Sequence, residues 1–202
     1  MNANEVIANL ASKYSKLDIN PNDDVNMSQS SNDVIPTAMH CAYYVDTAEK
    51  LMPAMDLLID TIAKKIAQYH GVVKTGRTHL MDAMPLTIDQ ELGAWNTQLL
   101  NARASLITVL DALRFLPQGG TAVGTGINAH PRFAREFCKA ISPLVGFKAE
   151  TSNDYFRNLS SQDLSVQLSG ELKNLAVILM KISNDLRWMN SGPLAGLSLI
   201  HI

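Results

Sequence analysis

Residues 74–85, with the sequence KTGRTHLMDAMP, bring together side chains that could bind a carboxylate and move a proton. Arg77, Thr78 and His79 place a permanent cation, a hydroxyl and an imidazole next to one another. Imidazole is the side chain that exchanges protons near neutral pH, so His79 is the candidate acid or base. An ordinary loop between helices could carry the same residues, and taken alone the segment favours that simpler interpretation.

Two other polar segments could take part in the same chemistry. Residues 26–32 read NMSQSSN, and the hydroxyls of Ser30 and Ser31 and the amide of Asn32 precede a predicted helix. The free N–H groups of a helix start favour an anion there. Residues 119–128, GGTAVGTGIN, are glycine-rich, so their backbone can approach a ligand closely. Helix capping and a tight turn would explain these two segments without any ligand.

The elements that must hold these segments are helical by their hydrophobic period, because apolar residues recur at steps of three and four. The predicted elements are a short helix over residues 1–12, a loop over 17–37, two helices over 38–69 divided at Pro53, a long helix from the capping box of Thr87 and Gln90 to Leu113, a short helix from Pro131, an irregular segment over 146–159 and a long helix over 164–189. β-Branched alternation is absent, so no sheet is expected.

Helices of this length pack at shallow angles, and the sequence therefore predicts an all-α fold, an elongated up-down helix bundle. Their apolar stripes are longer than a compact monomer of 202 residues needs. We therefore expect helices from other subunits to complete the bundle.

The composition excludes several functional classes. With 47% hydrophobic and 18% charged residues the chain is typical of globular proteins, and a net charge of -2 provides no basic surface for nucleic acid or an anionic membrane. The two cysteines argue against a disulfide scaffold and favour a reducing compartment. No apolar run is long enough to span a bilayer. We expect a cytoplasmic protein, with the mitochondrial matrix as an alternative.

The sequences of four segments, and their order along the chain, show a resemblance to a known family. Residues 20–40 (NPNDDVNMSQSSNDVIPTAMH), 76–91 (GRTHLMDAMPLTIDQE), 119–131 (GGTAVGTGINAHP) and 179–193 (LMKISNDLRWMNSGP) closely resemble the class II, iron-independent fumarases of the fumarase/aspartase superfamily. His79 is similar to the fumarase branch, because aspartases carry glutamine there. The resemblance runs over residues 1–198, which would form the central helical domain of that fold, followed by a tail at 199–202 that does not resemble the family.

The resemblance implies the reversible hydration of fumarate to L-malate, a tricarboxylic acid cycle reaction, in a homotetramer whose active sites are shared between subunits. It implies that Ser30, Ser31, Asn32 and Thr78 bind the dicarboxylate substrate and that His79 handles the water and its proton. No cofactor and no metal are implied.

The family's second carboxylate site corresponds to Asn20, Pro21, Asn22 and Asp23, where Asn20 replaces a histidine, so a weakened site is expected. Three further departures from the family pattern, which we interpret as drift beside the site, are Met81, Met84 and Asp89.

The family's mobile Gly-Ser-Ser loop is absent from the sequence, as are the family's N-terminal part and its C-terminal domain. The loop carries the proposed carbon-acid base, so the 202 residues are expected to be a nearly inactive fragment of a hydro-lyase. Two alternatives remain open, an aspartase-like ammonia-lyase of the same superfamily and a non-catalytic helical oligomerisation module.

Overall fold

A computed structural model describes residues 2–190 and residue 196. Helices account for most of this part of the chain, which confirms the predicted helical fold. The α-helices are α1 (Asn2–Ser15), α2 (Ser31–Asp46), α3 (Met52–Gln68), α4 (Ile88–Leu113), α5 (Phe133–Val145), α6 (Tyr155–Ser160) and α7 (Asp163–Met189). Two π-helical turns lie at Pro21–Val25 and Thr47–Leu51, and the strands are β1 (Val73–Thr78), β2 (Met81–Thr87), β3 (Phe115–Leu116) and β4 (Glu150–Thr151).

The chain divides into two compact units, of which the first comprises Met1–Val45 and Asp111–Asp163. Strands β3 and β4 pair in parallel, and the buried Leu116 lies in a cluster with Cys138, Phe147 and Ala149. The ring of Tyr44 stacks on Phe147 with 4.0 Å between the ring centroids. An aromatic and aliphatic cluster of this kind holds α2 and α5 against the short sheet.

His40 is a polar member of this core. It is buried on α2, and its Nδ1 lies 3.2 Å from the carbonyl oxygen of Phe115. Because a carbonyl oxygen only accepts, Nδ1 is the donor of this hydrogen bond. Burial lowers the pKa of His40 below its usual 6.5, and the bond to Phe115 opposes part of that effect. The folded protein therefore favours the neutral imidazole.

The second unit comprises Asp46–Leu110 and Leu164–Ile202, and its core comes from α3, α4 and α7. Arg103 on α4 donates from Nε and Nη2 to the Asp56 carboxylate on α3, at 2.5 and 3.1 Å. Trp95 on α4 donates from Nε1 to Oδ2 of Asp185 on α7 at 2.9 Å. The buried apolar side chains follow the predicted helical period and are Met52, Met55, Ile59, Ile62, Leu92, Leu99, Ala102, Leu106, Val109, Leu110, Leu164, Leu168, Leu175, Ile178, Ile182 and Met189.

Three expectations from the sequence are wrong in part, and the expectation of no sheet is wrong, since β1 pairs with β2 and β3 pairs with β4. Residues 74–85 belong to a β-hairpin rather than to a loop, residues 146–159 include β4 and α6, and the loop predicted over 17–37 ends early because α2 begins at Ser31. Short polar strands lack the apolar alternation by which strands are identified, so the pattern missed them. Pro53 stands in the first turn of α3, as predicted.

Among the described residues, no helix combines the length and apolar character needed to cross a bilayer. The predicted tail at residues 199–202 lies outside the described part of the chain, so its boundary stays a prediction.

The buried His40 predicts a dependence of stability on pH. Its folded pKa is depressed, so the unfolded chain binds the proton more readily, and the free energy of unfolding should fall as pH drops below about 6.5. Replacing His40→Asn should flatten this dependence. Urea unfolding of both proteins at several pH values between neutral and mildly acidic measures it, and parallel profiles would contradict the assignment.

Candidate active site

The histidine of interest stands at the tip of the hairpin formed by β1 and β2. Thr78 pairs with Met81, which leaves His79 and Leu80 as a two-residue turn. Both have positive φ, 51° for His79 and 63° for Leu80. A turn with two positive φ values matches the right-handed twist of a hairpin, but it favours glycine and asparagine. Conformations of this kind cluster at functional sites, where the surrounding structure must hold them.

A bulge near the middle of the hairpin requires a glycine. The strand register shifts between Thr75 and Arg77, and a Cβ atom at Gly76 would lie 2.4 Å from the carbonyl oxygen of Met84. Any side chain would therefore displace the backbone of β2. The bulge changes the direction of the following residues, which include Arg77 and the turn itself.

The base of the hairpin is fixed by the first turn of α4. The Gln90 side chain accepts a hydrogen bond from the Thr87 N–H at 3.1 Å, which is one half of the predicted capping box. Asp89 accepts from the Gly71 N–H at 3.1 Å, and its other oxygen lies 3.0 Å from Nδ1 of the exposed His70. The hydroxyl of Thr87 is the main cause that lowers the pKa of Asp89.

A second contact at this base pairs Lys74 with Glu91. The Lys74 ammonium forms a short ion pair with the Glu91 carboxylate, and only 9% of the Lys74 side chain is exposed. An ion pair so little exposed loses less to solvent screening than a surface pair does. Asp89 and Glu91 therefore both hold the base of the hairpin that carries His79.

A cavity of about 480 Å³ lies beneath the hairpin, within the second unit. Arg77 lines it and donates from Nη1 to the carbonyl oxygen of Trp188 at 3.0 Å, and its Nε is 3.7 Å from Oδ1 of Asp82. His79 also lines it, and its ring has no hydrogen-bond partner among the described residues. The other lining residues are Lys74, Gly76, Leu80, Leu86, Gln90, Glu91, Asp185, Trp188 and Met189. The cavity thus brings the imidazole of His79 close to both cationic and anionic side chains.

The other two polar segments meet within the first unit. Ser30 caps α2, because its carbonyl oxygen accepts from the Val34 N–H at 3.0 Å and its hydroxyl oxygen accepts from the Asn32 N–H at 3.2 Å. The Nδ2 of Asn32 donates to the carbonyl oxygen of Ala122 at 2.7 Å. The anion-binding interpretation and the capping interpretation of Ser30 are therefore compatible, since its O–H donates to no acceptor within the described part of the chain.

The candidate residues divide between the two units. Ser30, Ser31 and Asn32 belong to the first unit, and Thr78 and His79 belong to the second. Ser31 and Asn32 at the start of α2 are exposed. Thr78 is also exposed, and it is absent from the residues that line the hairpin cavity. These assignments stay predictions.

The predicted second carboxylate site has a different local structure. Asn20 caps the π-helical turn, and its Oδ1 accepts from the N–H groups of Asn22 and Asp23 at 2.8 and 3.1 Å. The N–H of Asn20 donates to Asp24 Oδ2 at 2.8 Å. Internal acceptors therefore occupy N–H groups that a carboxylate would need. Asn20, Pro21, Asn22 and Asp23 remain a predicted site only.

Sequence reasoning missed Asp33, which is fully buried in the first turn of α2. Its Oδ1 accepts from the Ser30 N–H at 2.9 Å, and its Oδ2 accepts from the N–H groups of Gly119 and Thr121 at 3.1 and 2.9 Å. The spacing of Ser30 and Asp33 is that of a capping box, which was the available signal. The bonds to the glycine-rich loop had no local signal.

The strained turn predicts opposite effects for two neighbouring glycine substitutions. Leu80→Gly should stabilise the protein by about 1 kcal/mol, because a leucine at positive φ is strained and glycine is not. Met81→Gly in the adjoining strand is the matched control, and it should destabilise by about 0.5–1 kcal/mol. Denaturant unfolding of the two variants measures both values. Loss of stability in Leu80→Gly would argue against the left-handed turn.

Comparison with known proteins identifies the family to which this chain is similar. A family model described as "Lyase" matches residues 1–202. A protein named fumarate hydratase class II 2 from Pseudomonas aeruginosa is 54% identical over all 202 residues, and fumarate hydratase class II from Xylella fastidiosa is also 54% identical over 202 residues. The class II enzyme from Oceanobacillus iheyensis is 46% identical over 207 residues.

Solved structures give the same result. A class II fumarase from Schistosoma mansoni superposes with a TM-score of 0.90 at 36% identity, over 96% of this chain and 45% of that one. A fumarate lyase:delta crystallin from Brucella melitensis, bound to cobalt, superposes with a TM-score of 0.88 at 39% identity, over 98% of this chain and 44% of that one.

The chain spans less than half the length of these relatives, 44% of the Pseudomonas aeruginosa protein and 43% of the Xylella fastidiosa protein. All of this chain is nevertheless aligned with each of them, and the resemblance to class II fumarases is confirmed. Since the family model also matches the whole of residues 1–202, this chain belongs to the lyase family.

Proposed function

We propose that this chain belongs to a hydro-lyase of the cytoplasm that catalyses the reversible hydration of fumarate to L-malate. The observation that carries the proposal is the placement of His79, an imidazole without a partner among the described residues, on a strained turn that lines a cavity. The names of the relatives, each a class II fumarate hydratase over the full length of this chain, supply the substrate.

The chemistry requires a base for water and donors for a carboxylate. His79 takes a proton from water as the oxygen bonds to one alkene carbon, and the other alkene carbon then gains a proton from a second acid. Between these events negative charge develops on the carboxylate next to the second carbon. Hydrogen-bond donors fixed in advance stabilise such charge. His79 afterwards releases its proton to solvent, which returns it to the starting state. In the reverse direction His79 returns the proton to the departing water.

The donors in the proposal are the hydroxyls of Ser30, Ser31 and Thr78 and the amide of Asn32. A carboxylate is only an acceptor, and each of these groups has a proton to donate. The hydroxyl oxygen of Ser30 already accepts the Asn32 N–H, and its own O–H can donate to a further acceptor. Ser30, Ser31 and Asn32 belong to the first unit, and Thr78 and His79 belong to the second. Following the family resemblance, the proposal includes active sites shared between subunits.

Shared sites require an oligomer, and we propose a homotetramer. Several large apolar side chains on the helices of the second unit stay exposed in the single chain, among them Leu57, Leu100, Val166, Val177 and Met180. An apolar surface on long helices is typical of a face that packs against other subunits.

The acid–base assignment predicts a large loss of turnover in His79→Ala. The rate constant for fumarate hydration should fall by about 100- to 10,000-fold, the usual contribution of a positioned general base. The assay follows the ultraviolet absorbance of fumarate, using protein expressed from the longest reading frame that contains residues 1–202.

His70→Ala is the matched control for this variant, because His70 belongs to the same unit and its side chain is 81% exposed. The control should keep turnover within about threefold, since a contact made by so exposed a side chain contributes little. Wild-type turnover in His79→Ala would remove His79 from the mechanism. Ammonia release from aspartate, without fumarate hydration, would instead favour the ammonia-lyase.

The assembly proposal predicts a mass of four chains in solution. Residues 1–202 alone have a mass of 22.1 kDa per chain, and sedimentation equilibrium of the protein measures the multiple. Met180→Glu should weaken the assembly, because 65% of the methionine is exposed in the single chain and a charge cannot be buried there without a partner. A stable, well-folded monomer would contradict the proposed homotetramer.

A further inference from the structure

The buried carboxylate of Asp33 is unusual because its charge is balanced without a cation. It has an exposed fraction of 0%, and none of its ion pairs or hydrogen bonds within the described residues involves lysine, arginine or histidine. Three backbone N–H groups hold it instead. Removing a carboxylate from water is unfavourable, so losing any of these three hydrogen bonds would destabilise the folded protein.

The two oxygens of Asp33 serve two different segments. Oδ1 accepts from Ser30 at the start of α2, and Oδ2 accepts from Gly119 and Thr121 in the glycine-rich loop. Because one rigid, planar group makes all three bonds, it fixes the position of the loop relative to the helix start.

The loop would not hold this shape unaided. Thr121 has φ 57°, which is unfavourable for a β-branched residue, and its buried hydroxyl has no partner among the described residues. The bond to Asp33 therefore holds Thr121 in a strained conformation and sets the position of the next residue, Ala122. The Ala122 carbonyl oxygen can only accept, so it turns the nitrogen end of the Asn32 amide toward itself.

We propose that Asp33 is a positioning residue for substrate binding, which holds Ser30 and Asn32 in the geometry that receives a carboxylate. The inference rests on the proposed function, because the carboxylate is that of fumarate or L-malate. Asp33 acts through its neighbours and does not touch the substrate. Its capping bond orients Ser30, and its loop bonds orient Asn32 through Ala122.

The test is the steady-state kinetics of Asp33→Asn, in protein from the longest reading frame that contains residues 1–202. The amide has one acceptor oxygen, so either Ser30 or the loop loses its bond. We expect KM for fumarate to rise at least tenfold, because binding in the ground state is lost, and kcat to fall as well, because the same donors stabilise the charge that develops in the transition state. A purely structural contribution would reduce the amount of folded enzyme, which lowers apparent kcat and leaves KM unchanged.

Phe147→Leu is the control for lost stability in the same unit, since it weakens the stack on Tyr44 and leaves the hydrogen-bonding groups of Asp33 and its partners unchanged. At a matched loss in Tm its KM should stay within twofold of wild type. An equal rise in KM in Phe147→Leu would overturn the inference, and so would a wild-type KM in folded Asp33→Asn.

Gly119→Ala provides a second approach if Asp33→Asn does not fold. Gly119 has φ 108°, and a Cβ atom there would lie 2.6 Å from the Cβ of Ala134, so the loop must move away from Asp33. The same rise in KM is expected, and a wild-type KM in this variant would overturn the inference. Absence of fumarate turnover in the wild-type protein would instead overturn the proposed function itself, which separates the two failures.

Discussion

The buried carboxylate of Asp33 is the interaction on which the first unit's candidate site depends. A charge without solvent needs donors, and here the donors are backbone N–H groups of Ser30, Gly119 and Thr121. A backbone group cannot turn toward an acceptor unless the chain turns with it, so balancing the charge also fixes the chain. The start of α2 and the glycine-rich loop thus form one rigid piece, in which even a left-handed threonine is held in place.

In the second unit, contacts with a neighbouring element likewise hold a strained segment, the turn of the hairpin. The turn at His79 and Leu80 is strained, and it persists because the base of the hairpin is held by Asp89 and Glu91 on α4. α4 is itself bound to its neighbours through Arg103 and Trp95. The packed helices therefore hold α4, α4 holds the base of the hairpin, and the hairpin holds the imidazole of His79. Rigid elements that support a short polar segment are well suited to positioning a catalytic group.

The structure shows what the side chains do at the positions that depart from the family pattern. Met81 and Met84 lie on β2 with 70% and 80% of their surface exposed, so a change of side chain there alters little packing, and their interpretation as drift is reasonable. Asp89 is different, because it bonds the Gly71 N–H and has His70 beside it. It contributes to holding the base of the hairpin. Asn20 likewise uses its side chain to cap a turn rather than simply replacing a histidine.

The sequence by itself determined the long helices, because an amphipathic period is a local property and buried residues such as Leu99, Leu106 and Leu168 follow it directly. It also determined the family, through polar segments whose order is distinctive. Only the tertiary structure decided that residues 74–85 form a hairpin, and that Asp33 joins α2 to a loop 88 residues away at Thr121. The hairpin depends on hydrogen bonds between backbone groups, and the Asp33 link depends on N–H groups of a loop that is distant in sequence. Neither leaves a local side-chain pattern from which it could be predicted.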